Sequence, residues 1–353
     1  MTFPQGPTDP PPTTPTPPPL PPPGSAGPAF PSAGPGSWQH LPPEQLQRLH
    51  QPGIVPLRPL HLSDIFGGAL ATMRRNPTAT IGMALLVLTA LLVPSALASL
   101  AIAEYVQAPA TDRGALITLT GMVFSMIASV ALTGMLVHVV GEAVLGDRVG
   151  LGETWRAVRG RLPALIGTML LISLGLFLVV GLFLAAVIGL VVARGDASGP
   201  WLILALVLGM PLLTVVIVWA GCRLSLATSA VVLERVGPLR AIRRAWALST
   251  GGQGWRIVGI TLLAGLVTGI FSMMVQIPIS TALFLGLGLG FDTLTPVHPA
   301  AILSDHLVQV IVGAFATPFT AGVTALLYLD QRIRREGLDL TLLRAAQARR
   351  ERA

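Results

Sequence analysis

The stretch Leu145-Gly146-Asp147-Arg148-Val149-Gly150-Leu151 ends a long apolar run with an acid, an arginine and a glycine-containing turn. A related stretch, Leu233-Glu234-Arg235-Val236-Gly237-Pro238-Leu239, ends another apolar run. A looser copy, Leu329-Asp330-Gln331-Arg332, ends the last run. This recurrence predicts one helical unit that occurs three times, each copy closing on the same side of a membrane.

The composition indicates a protein that crosses a membrane several times. Of 353 residues, 52% are hydrophobic and only 11% are charged, whereas ordinary soluble domains carry about 25% charged residues. Several apolar runs exceed the roughly 20 residues that a helix needs to cross the hydrocarbon core. The N-terminus is proline-rich and polar, unlike a cleavable signal peptide, so the first span is expected to serve as the insertion signal.

The basic and sulfur-containing residues exclude several kinds of catalytic and metal site. Cys222 is the single cysteine, and all 23 basic residues are arginine. A cysteine metal cage, a P-loop lysine and a Schiff-base lysine are therefore excluded. No nucleophile motif or aspartate-rich metal motif stands out, so the sequence predicts no enzyme activity, no catalytic residue, no metal and no cofactor. The +7 charge comes from arginines beside apolar runs, which indicates membrane topology rather than a nucleic-acid partner.

The chain divides into three predicted segments. Residues 1–60 form a proline-rich cytoplasmic arm, which is expected to be disordered with polyproline II character. The arm is either a spacer or a docking ligand for a cytoplasmic protein with an aromatic groove. Residues 61–336 form the membrane domain, and residues 337–353 form a basic cytoplasmic tail.

The predicted fold is an all-α integral membrane protein with six transmembrane helices. It is built as three repeats of an interfacial amphipathic helix followed by a transmembrane hairpin, over about 61–150, 151–237 and 238–336. The alternative is that any amphipathic helix followed by two spans looks alike. The apolar stripes are Leu62, Ile65, Phe66, Ala69, Leu70 and Met73 in the first unit, Leu151, Trp155, Val158 and Leu162 in the second, and Leu239, Ile242 and Trp246 in the third.

Prolines and small residues refine the predicted spans. Pro94 is expected to kink the first span, Pro211 to break the fourth and Pro278 to end the fifth. Gly181, Ala185 and Gly189 in the third span lie at a small-xxx-small spacing that predicts close helix packing, and Gly265 with Gly269 repeats the pattern in the fifth span.

The distribution of arginines sets the orientation. On this topology Arg113 and Arg194 face outward, Arg223 lies near the inner end of the fourth span, and the other twenty arginines face inward. The positive-inside rule then predicts a multi-pass plasma membrane protein with both termini in the cytoplasm.

The candidate site residues lie at this inner end. A basic collar is expected to contact anionic lipid headgroups or a substrate, through Arg156, Arg159, Arg223, Arg240, Arg243 and Arg244. For Arg223, which falls within an apolar run, two interpretations stand: a functional intramembrane charge, or a side chain that snorkels to phosphates.

Two smaller groups complete the candidates. His138 and Glu142 are four residues apart and form either half of a metal or proton-responsive site, or ordinary polar residues near the headgroups. Phe66, Trp155 and Trp246 are predicted interfacial aromatics.

Two end motifs resemble a known group of proteins. Leu60-His61-Leu62-Ser63-Asp64-Ile65-Phe66-Gly67-Gly68-Ala69, followed by Arg74-Arg75-Asn76-Pro77, is similar to the start of a group of actinobacterial membrane proteins. Leu326-Leu327-Tyr328-Leu329-Asp330-Gln331-Arg332-Ile333-Arg334-Arg335-Glu336-Gly337-Leu338-Asp339-Leu340 is similar to their C-terminal signature. That family resembles the membrane domain found beside some glycerophosphodiester phosphodiesterases. The resemblance covers about residues 53–340. In those phosphodiesterases the chemistry resembles that of a separate barrel domain that opens with a His-Arg-Gly-like motif. The chain has no His-Arg pair, so the resemblance implies a membrane module without that catalytic barrel.

Three functions remain open from the sequence. The first is a non-enzymatic scaffold or accessory protein that holds lipid through the basic collar and recruits a partner through the proline-rich arm. The alternative is a transporter or lipid-handling protein for an apolar substrate, because prolines interrupt the spans. A membrane-bound phosphodiesterase is the least favoured.

Overall fold

The computed structural model describes residues 54–56, 58–195, 199–286 and 295–337. Within those ranges the chain is almost entirely helical and contains no strand. The predicted disorder of residues 1–53 and the predicted basic tail over 338–353 lie outside the described residues.

The helices follow the predicted alternation of short and long elements. In chain order they are α1 Leu62–Arg75, α2 Met83–Tyr105, α3 Ala110–Val144, α4 Leu151–Val158, α5 Leu162–Arg194, α6 Pro200–Leu224, α7 Leu226–Leu233, α8 Pro238–Leu248, α9 Gln253–Gly286 and α10 Pro299–Glu336. A π-helical turn, Thr78–Gly82, leads into α2, and a 3-10 turn, Arg159–Arg161, leads into α5.

Six helical stretches of the described chain are long and apolar enough to cross a membrane. They are Thr78–Tyr105, Ala110–Val144, Leu151–Arg194, Leu202–Leu233, Gln253–Ala282 and Pro299–Glu336. The predicted class, an all-α membrane protein with six spans, is therefore confirmed.

The prolines do not divide the spans as predicted. Helix α6 continues through Pro211 and α9 continues through Pro278, so the predicted break and the predicted helix end are wrong. The interruption in the fourth span falls at Ser225 instead. A proline removes one backbone hydrogen bond, and neighbouring helices and local adjustments allow spanning helices to tolerate that loss.

Helix α10 is the centre of the bundle. Half of the residues in its most apolar 18-residue stretch are buried, whereas no residue is buried in the corresponding stretches of the third and fourth spans. Helix α10 packs against α1, α2, α3 and α9. At its contact with α1, a Cβ added to Gly322 would lie 3.0 Å from the Cβ of Ala69, so small residues allow close approach here.

The predicted small-residue packing in the third and fifth spans is wrong. Open space surrounds Gly181, Gly189, Gly265 and Gly269, because no neighbouring atom would lie within 4 Å of a Cβ at any of them. The spacing of small residues permits a close approach but does not specify which helix face meets a neighbour.

The carboxylate of Asp330 joins the two ends of the domain. It is fully buried, and its Oδ1 accepts hydrogen bonds from the Leu60 amide at 2.7 Å and from Arg334 Nε at 2.9 Å. Arg256 forms an ion pair with Oδ2. Arg256 and Arg334 also donate to the Leu60 carbonyl, at 2.7 and 3.0 Å. We call these four residues the Asp330 clamp.

The membrane domain begins earlier than the predicted boundary at residue 61. Val55 and Leu60 are only 3% and 1% exposed. Val55 lies against Gly68 of α1, and the clamp fixes the backbone of Leu60. The assignment of residues 54–56 and 58–60 to the arm is therefore wrong, because long-range contacts that the local sequence does not show hold them in place.

Three arginines contact the recurring turns at similar separations along the chain. The pairs are Arg75 with the Gly146 carbonyl at 3.0 Å, Arg161 with the Arg235 carbonyl at 3.3 Å, and Arg256 with the Asp330 carboxylate. The separations are 71, 74 and 74 residues. Arg75 and Arg161 lie just before the long helices α2 and α5, and Arg256 lies in the first turn of α9. Their partners lie just after α3, just after α7 and in the last two turns of α10.

Replacing Asp330 should strongly destabilise the domain. Asp330→Asn removes the charge that Arg256 and Arg334 share, and we expect a loss of about 3 kcal/mol in the free energy of unfolding. Denaturant unfolding in detergent, followed by circular dichroism, measures this loss. Asp305→Asn is the matched control in the same helix, because Asp305 is exposed. Equal losses in the two variants would contradict the role of the clamp.

Candidate functional site

Each of the three amphipathic helices, α1, α4 and α8, has some residues buried against the bundle and some exposed. Their buried residues are Ile65, Gly68, Ala69 and Thr72 in α1, Thr154 and Val158 in α4, and Ala241, Ala245 and Leu248 in α8. Their exposed large apolar residues are Leu62 and Leu70 in α1, Leu151 and Trp155 in α4, and Leu239 and Trp246 in α8. Each predicted stripe is therefore split, since only part of it packs on the bundle.

Four predicted lipid-contacting arginines lie on the same helices and remain exposed. Arg156 and Arg159 belong to α4 and the turn after it, and Arg240 and Arg243 belong to α8. We call these four residues the basic face. Exposed arginines beside exposed apolar side chains are typical of helices that lie in the plane of a membrane interface.

Arg244 was also predicted to contact lipid, but its guanidinium is paired with carboxylates of the protein. Its guanidinium donates to both carboxylate oxygens of Glu234 at 3.0 Å and forms a second ion pair with Glu336. Tyr328 donates its hydroxyl hydrogen to Glu234, and Arg332 Nε lies 3.3 Å from the same carboxylate. Arg244 thus fastens α8 to the end of α10.

The environment of Glu234 favours its ionised form. Burial raises the pKa of this carboxyl, but the hydrogen bonds from Arg244 and Tyr328 and the charge of Arg332 outweigh burial. The pKa of Glu234 therefore lies below its ordinary value of 4.5. The same network raises the pKa of Arg244 despite partial burial.

Arg223 is enclosed by neighbouring residues of the protein. It is only 8% exposed, and its guanidinium donates to the Ser249 carbonyl at the end of α8. Its Cζ lies 4.5 Å from the ring centre of Trp219 and 4.8 Å from that of Trp246. Two cation–π contacts and a helix C-terminus therefore surround the charge, while its Nε has no hydrogen-bond partner in the described part of the chain. This burial contradicts the predicted snorkelling, and the interpretation as a functional charge stays a prediction.

The three predicted interfacial aromatics have different neighbours. Phe66 packs edge-on against Phe319 of α10, with ring centres 5.6 Å apart. Trp246 packs in the same manner against Trp219, also at 5.6 Å. Trp155 is 45% exposed and lines an apolar groove.

His138 and Glu142 lie one turn apart near the C-terminal end of α3, and both are partly buried. In the described part of the chain, no group of three or more His, Cys, Asp or Glu side chains is placed to hold a metal ion. The pair therefore gains no third ligand there.

A hydroxyl-lined cavity of about 280 Å³ lies where all three predicted units meet. Its hydroxyl side chains come from α3, α7, α10 and the interruption before α7: Thr133, Ser225, Thr228, Thr320 and Thr324. Thr320 and Thr324 each donate to a carbonyl of their own helix, which leaves oxygen lone pairs available. Sequence analysis missed this cavity, although the spacing of Thr320 and Thr324 is a helical i, i+4 pair.

A second polar cavity, of about 500 Å³, lies near the other end of the bundle. Ser125 donates to the Gln309 side chain at 2.8 Å, and Gln309 donates to Asp305 at 2.8 Å. His306 is buried, with Nδ1 2.8 Å from a carbonyl of its own helix and Nε2 3.0 Å from the Ser95 hydroxyl. Nδ1 therefore carries a proton, since a carbonyl only accepts. Sequence analysis singled out none of these residues.

The fold and the site define a six-span, all-α membrane protein with a basic face at one end. The chain belongs to the family described as a domain of unknown function, DUF7847, whose model matches residues 60–331. That range begins at Leu60 and ends beside Asp330, so it contains three of the four residues of the Asp330 clamp. No curated protein and no solved structure matched the chain.

The Glu234 network should make stability depend on acid pH. Because the folded-state pKa of Glu234 is lowered, its stabilising contribution is complete above about pH 4.5 and is lost as the pH falls through the folded-state pKa. Unfolding in detergent between pH 7 and pH 3 measures this loss. Glu234→Gln should be less stable at pH 7 and should lose less stability on acidification. An unchanged acid dependence in this variant would contradict the assignment.

Proposed function

We propose that this protein is a non-enzymatic scaffold or accessory protein of the plasma membrane. It contacts anionic lipid through its basic face and recruits a cytoplasmic protein through the proline-rich arm over residues 1–53. The arm lies outside the described residues, so its role rests on the sequence alone.

The main support for the proposed lipid contact is that each amphipathic helix buries small residues against the bundle and leaves large apolar and basic residues exposed. Small residues such as Ala241 and Ala245 pack on the bundle, while Trp155 and the arginines of the basic face remain exposed. An amphipathic helix gains from burying apolar side chains in the interface while its cations attract anionic headgroups.

The proposal includes the three-fold repeat and the cytoplasmic orientation. Similar separations between Arg75, Arg161 and Arg256 and their partner turns support three related units. The amphipathic helices, the turns and the ends of the domain all lie at the arginine-rich end of the bundle, and Arg113 and Arg194 lie at the other end. The positive-inside rule places the arginine-rich end, and with it both termini, in the cytoplasm.

Lipid handling is the second candidate, and the hydroxyl-lined cavity favours it. The hydroxyl groups lie beside Met169 and Ile172, which gives the cavity a mixed lining suited to an amphipathic molecule. The sequence likeness to the membrane module of some glycerophosphodiester phosphodiesterases remains a prediction, and we propose no phosphodiesterase chemistry.

Removing the basic face should weaken the retention of anionic lipid. The quadruple variant Arg156→Gln, Arg159→Gln, Arg240→Gln and Arg243→Gln loses four interfacial cations, each contributing about 1 kcal/mol near an anionic surface. Native mass spectrometry of purified protein with phosphatidylglycerol and phosphatidylcholine measures the preference. Arg194→Gln, at the other end of the bundle, is the control. An undiminished preference in the quadruple variant would overturn the proposed lipid contact.

Deleting residues 1–52 should abolish recruitment of a partner without harming the membrane domain. Val55 and Leu60, which pack on the domain, remain in the truncated chain. Native mass spectrometry after gentle extraction compares the two forms. A protein lost on truncation is the expected result. A specific lipid retained by both forms, with no protein bound to the full chain, would contradict recruitment and favour lipid handling.

A further inference from the structure

The apolar groove beside Trp155 has the shape and position of a lipid site. It has a volume of about 530 Å³ and almost no polar lining. Its walls come from the first hairpin and from α4: Val87 and Ala90 in α2, Ile127 and Ala131 in α3, and Gly152 and Trp155 in α4.

The groove runs along the first hairpin and stays within one leaflet. Its lining extends from Met83 to Leu91 on α2 and from Met135 back to Ile127 on α3. Eight residues of helix correspond to about 12 Å, which is less than half of the roughly 30 Å hydrocarbon thickness. Helix α4 closes the groove at the arginine-rich end, where the headgroups of that leaflet would lie.

Arginines stand at the mouth of the groove. Arg156 Nε donates to the carbonyl of Gly152 at 3.2 Å, so its guanidinium is held beside a lining residue. Arg159 follows Trp155 by four residues and therefore lies near the same side of the helix. Residues 147–161 carry four arginines against two carboxylates. The mouth is therefore cationic, while the interior is apolar.

The three predicted interfacial aromatics have different contacts. Trp246 packs against Trp219 and Arg223, and Phe66 packs against Phe319. Trp155 instead borders open apolar space. The ring of Trp155 is thus placed to contact a ligand in the groove.

We propose that this groove holds one acyl chain of an anionic phospholipid, with the headgroup phosphate bound by Arg156 and Arg159. The proposal rests on the proposed lipid contact and assigns its tightest site to α4 rather than to the basic face as a whole. Charge complementarity at the mouth and the one-leaflet length of the groove select a phospholipid over a second copy of the chain.

Filling the groove tests the site directly. Gly152 lines the groove, and a Cβ added there meets nothing within 4 Å, so Gly152→Phe can occupy the groove without a clash at its Cβ. Gly160→Phe is the matched control, because Gly160 is equally open and does not line the groove. We expect Gly152→Phe to lower the affinity for the tightest phosphatidylglycerol about tenfold, and Gly160→Phe to leave it unchanged, in native mass spectrometry of the full chain.

Paired arginine variants separate this site from the general lipid contact. Arg156→Gln with Arg159→Gln should weaken that lipid about thirtyfold, while Arg240→Gln with Arg243→Gln should leave it in place. The two arginine pairs also test the groove site if Gly152→Phe fails to fold. Equal losses in both pairs, or no loss in Gly152→Phe, would overturn the groove site and leave the general contact standing. Unchanged retention in both pairs would overturn both.

Two other results would also overturn the groove proposal. The first is equal retention of phosphatidylcholine with the same acyl chains, which would remove the role of the arginines. The second is a dimer of the wild-type chain that Gly152→Phe dissociates, which would make a second copy the occupant.

Discussion

The domain depends on a buried carboxylate. Asp330 has no exposed surface, and two arginines and the Leu60 amide surround it. A lone buried charge would be very costly, but here hydrogen bonds and opposite charges compensate for the lost water. The partners come from the segment before α1, the start of α9 and the end of α10. One side chain thus fixes the first and last residues of the family unit against each other.

The same compensation of charge inside the protein recurs around Arg223 and Glu234. Arg223 is enclosed by two indole rings and a helix C-terminus, and Glu234 by two arginines and a tyrosine. Both clusters hold α8 in place, one at its end and one at its middle. The four arginines of the basic face, in contrast, are exposed. This separation of enclosed from exposed arginines underlies the proposed contact with lipid.

Trp155 and Trp246 both lie on short amphipathic helices but have different surroundings. In α8 the residue corresponding to Trp155 is Trp246, and Arg223 reaches its ring from the end of α6. Helix α3, which precedes α4, has no counterpart of the Trp219 and Arg223 pair that packs on Trp246. The space next to α4 stays open. Of these two amphipathic helices, α4 thus lies beside an open groove.

The sequence by itself determined the class, the number of spans and the positions of the amphipathic helices. Apolar runs long enough to span must be helical in lipid, because every backbone amide and carbonyl needs a partner within the segment. Local spacing likewise placed Trp155 and the arginines of the basic face at the surface of short helices. Local rules failed at Pro211 and Pro278, because helices in a bundle tolerate a missing hydrogen bond.

Only the tertiary structure decided which arginines are free. Arg223 and Arg244 resemble Arg240 and Arg243 in the sequence, yet Arg223 is bound by Ser249 and Arg244 by Glu234 and Glu336. The packing of residues 54–60, the open faces of Gly181 and Gly265, and the convergence of threonines from three units also depend on contacts between distant segments. Periodicity fixes which residues share a helix face, but the element that meets that face is set by the packing of the whole bundle.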